Sequence, residues 1–376
     1  MTVSIEQYVA PMEVEEEDVE DTLSDNEENE EVMVKSTGAT NAARGILLSP
    51  TKTVSQATTT TAATASAVET TAAGPTTRVK RLALISSEDL KTPTIAVPTI
   101  AVAIGSVAVW ASIMYYGAYK KKFSPLLSFP LMTAAIFASF TPVHDGTHSS
   151  IAKGKYKVPV NNLVGYFSGI PLILPFGVYR QLHLLHHRHV NTEEDPDIWD
   201  SQGPMVVRAI KWFFPDMFWI KRVGEGKVKN AKILDAALFY LSVFWALKKM
   251  NDKNMAFVKF WLIPQRVAYW LLVWLFAYVP HRPDGDHKYN QKDNVYKTTS
   301  VTGGILNSNG FNLAIPLLNQ HLHNIHHLYP QLPFTRYGTI WAKHKDALIA
   351  AGTEIHPAYE AKKDWAWNET FGGRKK

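Results

Sequence analysis

The hydrophobic positions of this chain gather into long uncharged runs rather than short alternating ones. "TIAVPTIAVAIGSVAVWASIMYYGAY" (94–119) has no charged residue over 26 positions, and Lys120, Lys121 and Lys122 end it. A helix of that length crosses a hydrocarbon core of about 30 Å. "SPLLSFPLMTAAIFASFTPV" (124–143) is a second such run and leads directly into His144. "KILDAALFYLSVFWALKK" (232–249) is a third, interrupted by Asp235. "FWLIPQRVAYWLLVWLFAYVP" (260–280) is a fourth, with Gln265 and Arg266 near its start and Trp and Tyr toward both ends, where membrane interfaces place them. Two further apolar stretches, 159–178 and 303–318, are broken by Gly, Asn and Pro and predict re-entrant or surface-lying segments. The pattern predicts an all-α integral membrane protein with about four transmembrane helices in two hairpins. The competing picture, buried helices of a large soluble protein, does not account for the uncharged 26-residue run or the paired spacing.

Parity orders the ends of these helices. If 94–119 and 124–143 form one hairpin, His144 emerges on the side where the chain entered. If 232–249 and 260–280 form another, His281 emerges there too. The segment 159–178 then must not cross, or the histidines that follow it would lie on the opposite side. Basic residues agree: Arg78, Lys80, Arg81, Lys91 and a dense set from Lys153 to Lys232 fall on the shared side. That side is expected to be cytoplasmic or its topological equivalent.

Charge divides the chain differently. Residues 1–60 carry 13 acids against Lys35, Arg44 and Lys52, whereas 61–376 carry 36 basic and 21 acidic residues. The run "EVEEEDVEDTLSDNEENEEV" (13–32) holds too little apolar surface to offset chain entropy, and "ATTTTAATASAVETTAAGPTT" (57–77) is low in complexity. Residues 1–90 are therefore expected to be a disordered acidic and Thr/Ala-rich tail, and 91–376 a catalytic membrane domain with a histidine-rich helical cap. An acid-rich start is unlike a transit peptide, and the sequence does not fix whether the membrane is endoplasmic reticulum or plastid. Nothing points to nucleic acid, because the basic residues lie between membrane segments without a groove-reading motif.

The chain has no cysteine, which excludes disulfides, thiolate metal sites and cysteine nucleophiles. It has 14 histidines, and they cluster. "HDGTH" supplies His144 and His148, "HLLHH" supplies His183, His186 and His187, and "HNIHH" supplies His323, His326 and His327. Spacings of three and four bring imidazoles toward one side of a helix. Imidazole suits Zn, Cu, Fe and Ni. A single zinc takes about four ligands, so eight such residues fit two ions better than one. No Glu-x-x-His occurs, which sets aside a carboxylate-bridged bundle site. An all-histidine di-iron centre at a membrane face remains, suited to O2 and to the unactivated C–H bonds of a lipophilic substrate.

At these residues the chain resembles the membrane-bound fatty acid desaturase and hydroxylase superfamily, and within it the cyanobacterial-type carotenoid β-ring hydroxylases. The resemblance covers about 130 to 350. It is carried by "HLLHHRHVNTEEDPDIW" (183–199), "YVPHRP" (278–283) and "HNIHHLYPQLPFTRY" (323–337). Carotenoid ketolases share the Pro-His-Arg-Pro element, and many desaturases share His-His-Leu-x-Pro. Family hydroxylases tend to read His-Asp-Ala-Ser-His where this chain has "HDGTH", and an extra His321 precedes the third motif.

The resemblance implies two iron ions and O2 as co-substrate, with His144, His148, His183, His186, His187, His281, His323, His326 and His327 as ligands. His189 and His321 are further candidates, while His287, His344 and His356 are expected at the surface. Asp145, Asp195 and Asp197 stand beside the motifs, where a carboxylate can take the second N–H of a metal-bound imidazole or cap a helix. Arg180 and Arg188 can pair with those acids or line an entrance. No haem- or flavin-binding motif is visible, so a separate electron donor, a ferredoxin or cytochrome b5, is expected. Carotenoid β-ring hydroxylation stands first among the activities implied. Acyl-lipid desaturation or fatty acid hydroxylation, carotenoid ketolation, and a membrane metal transporter or receptor stand behind it. Transporters place ionisable residues mid-membrane, whereas these motifs sit at segment ends.

Overall fold

The computed structural model describes residues 85–250, 255–281, 294–303 and 314–357. The tail expected over 1–90 therefore lies, as far as residue 84, outside the described residues, as do His287 and most of the broken stretch 303–318. The packed chain takes in residues that the boundary at 90–91 assigned to the tail. Ile85 is buried, Asp89 accepts hydrogen bonds from Lys343 and His344, and Arg336 Nη2 donates to the Asp89 carbonyl at 2.8 Å. A single apolar anchor and one acid are too little pattern to mark such a segment in sequence.

Among the described residues, four helices are long and apolar enough to cross a membrane: α1 (Val97–Tyr119), α2 (Pro125–Thr147), α7 (Asn230–Met250) and α8 (Val258–His281). Between α2 and α7 lie α3 (Lys157–Leu172), α4 (Phe176–His189) and the short α5 (Met205–Lys211) and α6 (Pro215–Gly224). After α8 come α9 (His323–Leu328) and α10 (Phe334–Ala351). Two short strands, β1 (Ser300–Gly303) and β2 (Glu354–Pro357), pair in parallel, with Ser300 opposite Glu354. Among the described residues the regular structure is thus helical apart from this clasp, which ties the segment before the third histidine motif to the end of α10, and an isolated bridge between Ile95 and Ala152.

The first hairpin, α1 and α2, forms as the run lengths predict. The second pair is less intimate: α7 packs chiefly against α4, while α8 packs against α2. Asp235, the break in the α7 run, accepts a 2.6 Å hydrogen bond from Tyr166 of α3. One face of α7 stays open, with Leu238, Leu241, Phe244 and Trp245 exposed, as on a helix bordered by lipid.

The segment expected not to cross is bent. The helical stretches Gly154–Leu172 and Phe176–His189 meet at 101°. Ile173 ends α3 with φ 54°, a left-handed conformation that a β-branched residue rarely adopts. A break in apolar surroundings leaves carbonyls that water cannot satisfy, so protein must do so. Here α8 supplies the donors from positions four apart on one face. Trp261 Nε1 donates to Pro171 O at 2.7 Å, Gln265 Nε2 to Leu172 O at 2.7 Å, and Tyr269 OH to Leu172 O at 2.8 Å. The one polar amide in the fourth apolar run is thereby explained.

Gly146, the middle residue of "HDGTH", lets α3 lie close to the first histidine motif. A Cβ there would stand 2.9 Å from the backbone oxygen of Asn161 and 3.5 Å from the Cα of Gly165. Asn161 is fully buried and accepts from Ile151 N at 2.9 Å while donating to Ala152 O at 3.0 Å, which fixes the turn between α2 and α3.

Gln265→Leu removes one of the donors at the apex of the bend. It should lower the thermal midpoint of the detergent-solubilised protein by the equivalent of about 1–3 kcal/mol, the cost of a buried group left short of a partner. Gln265→Glu should not restore it, because the donor is still missing. A midpoint unchanged in Gln265→Leu contradicts this role.

Candidate metal centre

Helix geometry first decides how each motif can deliver its imidazoles. Residues i and i+4 project along nearly one line, and i+3 is turned about 100° from i+4. The second motif, on α4, therefore separates into His183 and His187 on one side and His186 on the other. The third, on α9, separates in the opposite sense, into His323 and His327 against His326. The first motif closes α2 with His144 and its C-cap His148. His281 ends α8 just after the π-helical turn Val273–Tyr278, a local widening that resets which face the following residues present.

These pieces assemble into two groups. His144, His148, His183, His187 and His326 form one, and His186, His281, His323 and His327 form the other. Within each group the candidate ligand atoms all lie within 4.8 Å of one another. Several nitrogens are closer: His326 Nε2 to His187 Nε2 2.8 Å, His187 Nε2 to His183 Nε2 3.2 Å, His281 Nε2 to His323 Nε2 2.9 Å and His327 Nε2 to His323 Nε2 3.0 Å. All nine residues predicted as ligands are thus gathered, five and four.

The donor set fits metal ions. Two imidazole nitrogens bound at about 2.1 Å and at right angles stand about 3 Å apart, which is the spacing seen here. Burial pushes His148, His323, His326 and His327 well below the usual imidazole range, so they are neutral, the form that ligates. The Nε2 of His148 is buried and has no hydrogen-bond partner, as expected of an atom aimed at an ion.

The surroundings of the two groups differ. His186 Nδ1 donates to both oxygens of Asp195, at 2.9 and 3.1 Å, which leaves the Nε2 lone pair for the second group. Asp195 is itself held by the backbone N–H groups of Asn191 and Asp197, at 3.1 and 2.9 Å. In the first group, His326 Nδ1 lies 3.1 Å from the hydroxyl of Tyr337, which is buried on α10. An imidazole that donates Nδ1–H to this oxygen likewise presents Nε2 to its group. A carboxyl partner raises imidazole basicity more than a phenol does.

Other sequence expectations need correction. Asp145 is buried, but its carboxyl accepts from Thr99 Oγ1 at 2.8 Å and from Phe334 N at 3.3 Å, so it ties α1 and the start of α10 to α2 instead of backing an imidazole. Its neighbours in sequence point one way while its own side chain points toward α1. Asp197 meets Asp195 through its N–H, and its carboxyl faces the cavity beside His186. His189 and His321 belong to neither group. His189 lies at the end of α4, and His321 holds β1 through its carbonyl, which accepts from Thr302 N at 2.8 Å. His344 is paired with Asp89, and His356 stands in β2 opposite Thr302. Among the described residues Arg180 pairs with no acid; it donates to Asn162 Oδ1 and Ser149 Oγ, both at 3.0 Å. Arg188 is exposed.

A cavity borders both groups, touching His144 and His183 of the first and His186, His281 and His323 of the second. Its other walls are mostly aromatic or apolar: Phe140, Tyr179, Trp219, Tyr269, Leu272 and Phe276. Asp197 and Asp200 add two carboxyl groups. Burial raises Asp197 to about 6 against the pull of His186, and raises Asp200 well above the ordinary range. Sequence reading missed Tyr337, Asp200 and Trp219. The first two stand within or just beyond quoted motifs, but nothing in their spacing marks them.

Comparison with known proteins places this geometry in a family. The fatty acid desaturase family model matches residues 123–359, which contains every histidine of both groups. A Synechocystis sn-1 oleoyl-lipid 12-desaturase is 28% identical over 160 residues, 36% of this chain and 45% of that protein. The chloroplastic omega-6 fatty acid desaturase of Glycine max is 25% identical over 223 residues, covering 53% of this chain and 51% of that protein. The chain thus spans about half the length of these desaturases. A β-carotene ketolase of a Paracoccus species is 22% identical over 262 residues, 67% of this chain and 96% of that protein. With the family model matched over most of the chain and its histidine motifs converged in the fold, the chain belongs to the fatty acid desaturase family.

Proposed function

We propose that this protein is an O2-dependent non-haem di-iron membrane oxygenase that hydroxylates the β-ring of carotenoids. The observation that carries the reading is the cavity: one aromatic-walled space touches imidazoles of both histidine groups at the ends of membrane-spanning helices. His144, His148, His183, His187 and His326 would hold one iron, and His186, His281, His323 and His327 the other. Bound there, the two ions would supply O2 activation and the oxidising power that an unactivated C–H bond requires. The ring specificity is supported by the breadth of aromatic wall and by the near full-length match to a ketolase of β-carotene.

The chain's own residues do the rest. Phe140, Tyr179, Trp219 and Phe276 exclude water and present flat faces to a ring. Asp195 fixes the tautomer and tilt of His186, and Tyr337 does the same for His326. Hydroxylation puts one oxygen atom of O2 into the C–H bond, releases the other as water, and consumes two electrons and two protons. The electrons come from a separate ferredoxin or cytochrome b5. A second reading, acyl-lipid desaturation, is favoured by the likeness to lipid desaturases. Incubation of the iron-loaded protein in vesicles with β-carotene and, separately, with oleoyl lipid decides between them. Hydroxylated β-ring product with unchanged acyl chains supports the proposal, and a new double bond in the acyl chain overturns it.

His186→Ala and His326→Ala should each abolish turnover and lower iron below two per chain while the protein still inserts in membranes. Full turnover in either variant contradicts the metal assignment.

Asp195→Asn and Tyr337→Phe should act on different ions. Loss of a hydrogen-bond partner behind a ligand typically weakens metal binding about 10–100-fold. Asp195→Asn should lose the ion held by His186 first on titration with a chelator, and Tyr337→Phe the ion held by His326. Mössbauer spectra of partly depleted samples should retain different components in the two variants. Identical release curves and spectra would contradict this division.

The donor requirement gives a further expectation. Purified protein with O2 and substrate should turn over only when a ferredoxin or cytochrome b5 with its reductase is added. The donor-dependent rate should fall as salt rises, since association of oppositely charged proteins is screened. Sustained turnover without a donor rules this out.

A further inference from the structure

The pair α5–α6 was read in the sequence only as part of the basic link between membrane segments, yet its contacts place it along the length of α8. Arg208 Nη1 of α5 donates to Tyr278 OH at 3.1 Å. The Ala209 carbonyl accepts from Trp270 Nε1 at 3.0 Å. At the turn between the two helices, the Phe213 carbonyl accepts from Arg266 Nη1 at 3.0 Å, and Asp216 receives both ends of that guanidinium, at 2.9 and 2.7 Å. The chain then returns. Trp219 of α6 meets the rings of Tyr269 and Tyr179, and Arg222 donates to the Pro196 carbonyl at 3.1 Å beside the second histidine motif. The contacts thus run from Tyr278 down to Arg266 and back. Arg266 lies past the midpoint of Val258–His281, about 22 Å of helix from His281.

The outward face of this hairpin is apolar. Val206, Val207, Ile210, Phe214, Met217 and Ile220 are all exposed. The two basic side chains of α5 turn back toward the tail side: Arg208 Nε donates to the Gly203 carbonyl, and Lys211 Nζ to the Gln202 carbonyl at 3.0 Å. That is how cationic side chains on a segment in the bilayer reach its surface. The buried end is neutralised by the Arg266–Asp216 pair, as charges at membrane depth must be. The inward face supplies Pro215 and Trp219 to the cavity.

We infer that α5–α6 is a hairpin that enters the leaflet from the tail side without crossing it, its outer face covered by lipid acyl chains and its inner face forming the wall of the cavity. One layer of helix then separates acyl chains from the histidine groups, and a lipophilic substrate dissolved in the leaflet meets this wall first. The inference rests on α8 spanning the membrane but not on the identity of the substrate.

The natural absence of cysteine allows a direct test. Single-cysteine variants Phe214→Cys, Met217→Cys, Ile263→Cys and Lys229→Cys are labelled with an environment-sensitive fluorophore and reconstituted in phosphatidylcholine vesicles. Some vesicles carry a nitroxide at mid-acyl chain. Ile263 is an exposed residue of α8 and serves as the membrane control; Lys229 is exposed on the tail side. Labels at Phe214 and Met217 should be quenched severalfold more than at Lys229 and to a degree near that of Ile263. Unlabelled Met217→Cys in vesicles should resist a water-soluble maleimide that modifies Lys229→Cys. Quenching at Ile263 but not at Phe214 or Met217 overturns the hairpin while leaving the membrane reading intact. Quenching at none of the three overturns the membrane reading itself. Shielding of Met217 from the nitroxide, together with disulfide-linked dimers on oxidation, assigns the face to a second copy and also overturns the inference.

Discussion

The fold depends on bringing nine imidazoles into contact, six of them buried and three half-buried. Their nitrogens approach to 2.8–3.2 Å, a spacing at which lone pairs repel unless each is given a proton or a cation. Four helices supply these rings, α2 and α8 at their C-terminal ends. α2 provides two, α4 three, α8 one and α9 three. Neither α4 nor α9 can shift by a turn without removing rings from both groups, because their motifs are divided between the two, while a shift of α2 depletes the first group and a shift of α8 the second. The lengths of α2 and α8 are thereby tied to the position of the histidine groups.

The same constraint explains the polar residues found at membrane depth. The second histidine motif joins the others through the 101° bend at Ile173. The bend exposes carbonyls that Trp261, Gln265 and Tyr269 satisfy. Asp235 answers Tyr166, and Arg266 answers Asp216. These pairs join one element to another, so they fix how the helices meet.

Close approach is the second requirement. Gly146 lies against the backbone of α3, where a Cβ would be 2.9 Å from a carbonyl oxygen. The glycine that distinguishes "HDGTH" from the family's usual motif is therefore a packing residue. Asp145 beside it serves the junction of α1, α2 and α10. A motif read as one chemical unit thus divides into two members of the first histidine group at its ends and architecture at its centre.

The sequence by itself determined what depends on local periodicity. Runs of uncharged residues long enough to span a bilayer, the breaks at 159–178, and imidazoles at helical spacing all follow from the rise and pitch of a single helix. They gave the four spans, the bent segment and the eight histidines of the three motifs, whereas His281 came from the likeness of "YVPHRP" to a family element. Only the tertiary structure decided what depends on which elements meet. It divided the motifs five and four, put Asp195 rather than Asp145 behind an imidazole, brought Tyr337 to His326 and laid α5–α6 along α8. A helix fixes the direction of its side chains relative to its own axis, but the partner each one meets is set by the path of the chain between helices, and no local pattern records that path.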